Sequence, residues 1–178
     1  VSASQVEAAL DQVRDLLLQQ DLARGVQQVA KELSQNLQTL KLELSEVNRV
    51  ISQASELQGA GDARATLERL GELEDHFTLS CRGQDFEIHH TGSDRVHQIR
   101  RDAIAHQFAT MQRRLEGAQE ALVGVLLAQR DSWDEFRTYL TSRDDITKFD
   151  DLRRRLSEII ATKQNDARCA AWEDRLKD

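Results

Sequence analysis

All five histidines of the chain, His76, His89, His90, His97 and His106, fall between residues 76 and 106, with Cys81, Asp85, Glu87 and Asp94 among them. Imidazole, thiolate and carboxylate are the usual ligands of zinc and its neighbours. A zinc site needs three or four of them converging, with nitrogens about 2.0–2.1 Å from the ion. The spacing here supports that poorly. There is no HExxH and no CxxC. His89 and His90 are adjacent, so on a strand they point to opposite faces. His90 and His97 can meet across a turn at Gly92. The weak metal candidates are therefore His89, His90, His97 and Cys81, and ordinary surface or turn histidines are the simpler account. A pH-responsive tip is the other chemistry such a group offers, because imidazole titrates near neutrality.

Other chemistry finds less support. Ser80 and Cys81 lie near His76 and His89 in sequence, yet a nucleophile needs an aligned base and an oxyanion hole, and no motif encodes either. Neither GxxxxGK[ST] nor GxGxxG occurs. The paired carboxylates Asp144-Asp145 and Asp150-Asp151 sit where helices start, and capping explains them. No catalytic residue and no cofactor is expected. Cys81 and Cys169 read as two reduced thiols, able to pair only if the last helix returns to the middle of the chain. The net charge is −7, and the one dense basic run, Arg153-Arg154-Arg155, points around a helix rather than along one face. Nucleic acid is not an expected partner.

The elements that carry these residues are mostly helical. Among 178 residues there is no proline, aromatics make up 4% and charged residues 31%, a composition suited to long helices with a thin apolar seam. That seam is Ala23, Val26, Ala30, Leu33, Leu37, Leu40, Leu44, Val47, Ile51 and Ala54, in steps of three and four. The pattern predicts one helix over 4–58, started by Ser2 or Ser4 and on the order of 80 Å long at about 1.5 Å per residue. Its early stripe, Val6, Leu10, Val13 and Leu17, is one residue out of frame, an offset placed near Gly25. Gly59 and Gly61 stop the helix and Asp62 caps a short one over 63–75, with Leu67, Leu70 and Leu73 inward. Phe77, Leu79 and Cys81, then Phe86, Ile88 and His90, alternate about a glycine-bearing turn and predict a β-hairpin whose apolar side packs on a helix. Ser93 is the expected cap of a second long helix reaching about 141, with Ile104, Phe108, Met111, Leu115, Ala118, Leu122 and Val125 as the antiparallel partner of the first seam. The apolar surface widens at Leu126, Leu127, Trp133 and Phe136. A third helix over 145–177 carries Phe149, Leu152, Leu156 and Ile160, with Trp133 and Trp172 as core or interface anchors.

The expectation is thus a mostly all-α fold, a long antiparallel helical coiled coil or helical bundle with a small helix-plus-hairpin insertion at about 59–92. It is read as one elongated unit over 1–178, composed of 1–58, 59–92, 93–141 and 145–177. The expected interaction seam is Leu33, Leu37, Leu40, Leu44, Val47, Ile51, Phe108, Met111, Leu115, Leu122 and Val125. No stretch reaches the roughly 20 apolar residues of a membrane span, and no signal peptide is visible. A start at Val1 is read as an excised piece or a processed chain. In heptads and composition the chain is similar to the coiled-coil arms of large mechanical ATPases and tethering complexes. That likeness implies a non-catalytic scaffold or interaction arm in the cytoplasm, with protein partners or a homodimer formed through its helices. The alternative is an extracytoplasmic helical bundle that senses a small molecule for a membrane receptor.

Overall fold

The computed structural model describes residues 1–19, 24–73, 76–81, 84–90 and 92–177, with backbone alone for Cys81 and 173–177. The fold is mostly helical with a small hairpin, as the sequence predicts. Among the described residues the helices are α1 (Ala3–Leu18), α2 (Arg24–Gly59), α3 (Ala63–Leu70), α4 (Ser93–Glu116), α5 (Val123–Phe136) and α6 (Arg143–Lys177). Strands β1 (His76–Cys81) and β2 (Gln84–His89) pair antiparallel between α3 and α4. No helix among the described residues is long and apolar enough to cross a membrane. The chain divides into two compact units, Val1–Arg101 and Asp102–Asp178, so α4 gives residues 93–101 to the first and 102–116 to the second.

The first unit is built on α2. The helix expected over 4–58 is two helices, and the reason lies in the frame offset. The early stripe does not extend the seam; it covers it. Val6 and Val13 of α1 are buried in one cluster with Ala30, Leu37, Leu40 and Leu44 of α2. Glu7 pairs with Lys41 at 2.8 Å, while Leu18 and Arg24 are only six positions apart, so α1 runs antiparallel to the first half of α2. The proposed offset at Gly25 is therefore a chain reversal; residues 20–23 lie outside the described ones. Ser2 starts α1 with a reciprocal box: its Oγ accepts from Gln5 N, and its own N–H donates to Gln5 Oε1 at 2.9 Å.

The second half of α2 is covered differently. Val47, Ile51 and Ala54 cluster with Leu70 of α3 and with Val96 and Ile99 of α4. Gly61, at φ 81°, supplies the left-handed stop, and Asp62 caps α3 by accepting from Ala65 N at 3.0 Å. Helix α3 ends at Leu70, short of the predicted 75, and Leu73 packs partly buried beyond it. Ser93 is not the cap of α4. Val96 N–H donates to Gly92 O at 2.9 Å, which makes Gly92 the capping position. A Cβ there would lie 2.7 Å from Ile51 Cδ1 and 3.2 Å from His90 Nδ1, so any side chain at this position would have to displace the end of Ile51.

The second unit contains the other correction. The helix expected over 93–141 is α4, a turn, α5 and a short 3₁₀ segment (Arg137–Tyr139). The three-four stripe holds through Ala118 and then fails, because α4 ends at Glu116 and Leu122 is the capping residue of α5. The buried face restarts in a new frame with Leu126, Trp133 and Phe136, and α5 packs on α6, where Phe149, Leu152, Leu156 and Ile160 are buried. Phe136 is central: its ring lies edge-on to Phe108 at 5.9 Å and 6.5 Å from Phe149. Helix α6 begins at Arg143 after Ser142, whose carbonyl accepts from Ile146 N, and Asp144 and Asp145 occupy its first turn, where their charge suits the helix dipole.

Candidate functional site

The hairpin holds most of the chemistry-bearing side chains, and its register decides where they go. Pairing runs from His76↔His89 through Phe77↔Ile88, Thr78↔Glu87, Leu79↔Phe86 and Ser80↔Asp85 to Cys81↔Gln84. Strand alternation then separates two faces. Phe77, Leu79 and Ile88 pack partly buried on the cluster of α1 and α2. Asn36 of α2 donates to Ser80 O at 2.5 Å, which ties β1 to the helix and leaves β2 as the outer strand. Phe86, expected to pack with the others, therefore remains 48% exposed.

The opposite face is polar: His76, Thr78 and Ser80 on β1, Asp85, Glu87 and His89 on β2. Ser80 Oγ donates to Asp85 Oδ1 at 2.5 Å. The rings of His76 and His89, direct cross-strand partners, stand 6.1 Å apart between centroids at 62°.

The metal candidates separate accordingly. His89 is exposed on β2, and His97 is exposed on α4. His90 is buried just past β2, its ring 5.7 Å from that of Phe77, a core histidine rather than a surface ligand. The side chain of Cys81 lies outside the described residues, and Cys169 is an exposed free thiol. Among the described residues no three His, Cys, Asp or Glu side chains are arranged to hold a metal ion. The pair that does come together is His76 with His89, and it follows from the strand register, which alternation alone does not fix.

Of the expected seam, Leu37, Leu40, Leu44, Val47 and Ile51 are buried and Leu33 is partly so. Phe108, Met111 and Leu115 are buried in the second unit. Leu122 and Val125 are 77% and 57% exposed, because the break after Glu116 turns them off the buried face. The first seam is occupied by elements of its own unit, α1, α3, the hairpin and the start of α4.

The arginine run is also partly used. Arg153 grips Asp134 of α5 with two hydrogen bonds, Nε at 2.5 Å and Nη2 at 2.9 Å. That contact holds the Asp134 carboxyl below its ordinary range and raises the Arg153 guanidinium. Arg154 pairs along its own helix with Asp151 and Glu158. Compared with protein-family models, with curated proteins and with solved structures, the chain matches none.

Proposed function

We propose that the chain is a non-catalytic helical interaction module whose last helix pairs with a helix of another chain or of a second copy. What carries this reading is the reach of α6 past its own packing. Ile160 is its last buried residue among those whose side chains are described, and Lys163 donates to Gln119 O at 2.6 Å. From Gln164 to Trp172 every residue is exposed, Trp172 at 65%. Helical segments of this length are marginal in water when nothing covers them. A helical stretch with no buried face is characteristic of a segment that bridges to or docks on something else.

The chemically capable side chains have structural work that agrees with a non-catalytic role. His90 packs in the core, Asp62 caps α3, and Arg153 holds α5 to α6. Much of the α2 seam is buried within its own unit, which favours the end of α6 as the surface left for a partner.

Hydrogen exchange over residues 164–172, followed with light scattering across a concentration series, tests the reading. The amides should exchange almost freely in a dilute monomer and gain protection as the chain self-associates or as a helical partner is added. Full protection in a dilute monomer would overturn it. So would a specific rise in melting temperature with one of a panel of amino acids and organic acids, which would assign the chain to ligand sensing instead.

A further inference from the structure

The polar face of the hairpin offers two imidazoles on rigidly paired backbone. His76 and His89 are direct partners in the ladder, with ring centroids 6.1 Å apart. Two imidazoles that share one ion through nitrogens about 2.0–2.1 Å from it have centroids roughly 4.5 Å apart at a right angle, roughly 5.2 Å at the tetrahedral angle and roughly 6.4 Å when opposed. The observed 6.1 Å is wider than the right-angle and tetrahedral values, so the rings must turn toward each other to share an ion. His76 is half-buried and His89 exposed on the hairpin's polar face. Their Cα positions are already set by the strand pairing and need not be organised by binding. Glu87 lies on the same face beside His89, with Asp85 beyond it, and both bring negative charge to the approach.

We propose that His76 and His89 form a two-histidine chelate for a divalent transition-metal ion of the zinc, nickel or copper class. Imidazole suits these ions, whereas calcium and magnesium prefer an all-oxygen shell. The protein supplies two ligands and water supplies the rest, which makes this an open, exchangeable site rather than a closed structural one. Its consequence is mechanical. A two-stranded hairpin is marginal on its own, and an ion shared by β1 and β2 staples its open end, stabilising the paired form in proportion to occupancy.

Calorimetric titration of the full chain with zinc chloride, paired with electron paramagnetic resonance of the copper(II)-loaded chain, tests this. The expected result is one ion per chain and a copper spectrum split by two nitrogens. Affinity should fall at least tenfold in His76→Gln and equally in His89→Gln, and stay unchanged in His97→Gln and His106→Gln. Because either Gln variant could loosen the hairpin, a second variant moves the pair one step along the same face. Thr78→His with Glu87→His, placed in the doubly substituted His76→Gln, His89→Gln chain, should restore binding. Unchanged affinity in either single variant, an even loss across all four histidine variants, or no recovery with the shifted pair would overturn the chelate and leave a simple ring contact.

Discussion

At the scale of single residues, the ion pair of Asp134 and Arg153 shows how local chemistry becomes stability. The guanidinium hydrogen bonds keep the Asp134 carboxyl ionised further into acid than an ordinary carboxylate. A carboxyl whose folded-state pKa is depressed contributes fully above its unfolded value. That contribution is lost as pH falls through the folded-state value. Asp134→Asn should therefore cost about 0.5–1 kcal/mol at neutral pH. The figure is kept small because both side chains are 39–41% exposed and solvent screens them. Below the carboxylate range the variant and the parent should converge. Thermal unfolding followed from pH 7 down to acid checks this, and a constant difference at every pH would show that the pair is not what Asp134 contributes.

At the scale of elements, Gly92 is the described glycine with the closest neighbour. The hairpin returns the chain to α2 there, and α4 starts at once. A methyl group at this position would meet Ile51 Cδ1 at 2.7 Å, the end of a side chain that is itself 3% exposed. Gly92→Ala should destabilise the first unit by about 1–3 kcal/mol, the usual cost of overpacking. Ile51→Val removes the clashing carbon, so the double variant should be more stable than the sum of the two single effects predicts. Strict additivity in denaturant titrations would place the cost of Gly92→Ala elsewhere.

The same elements show what the residue pattern encodes and what it does not. The Gly61 stop, the Asp62 cap, a serine cap at the first helix and the alternation of the hairpin are local and were legible. The reversal between α1 and α2 was written only as a frame offset. A stripe that continues a seam and one that folds back to cover it look alike until the partner is known. The break after Glu116 was hidden by the apolar run from Ala121 to Leu127, which keeps a helical rhythm while changing frame. For the candidate site, histidine clustering was visible, but the pairing of His76 with His89 required the register.

At the scale of the whole molecule, each unit owns a core. Leu70 is fully buried with Val47, Ile51 and Ala54 in the first, and Phe136 sits between Phe108 and Phe149 in the second. Phe136→Ala should cost about 3–5 kcal/mol and Leu70→Ala about 2–5 kcal/mol. Hydrogen exchange should place each loss chiefly in its own unit, with the amides of α5 and of α6 up to Ile160 weakened by the first substitution and those of α2 after Val47 by the second. Equal weakening throughout would mean a single cooperative block.

The packing of α1 on α2, of α3 on α2, of β2 on β1 and of α6 on α5 joins segments that are close neighbours along the chain. Such contacts close short loops, so little chain entropy is lost before they form. With no proline anywhere, slow peptide-bond isomerisation has no place in the process. Refolding from denaturant should finish within milliseconds, without a phase lasting tens of seconds. On a ribosome, the α1–α2 pair would be complete before the hairpin had emerged.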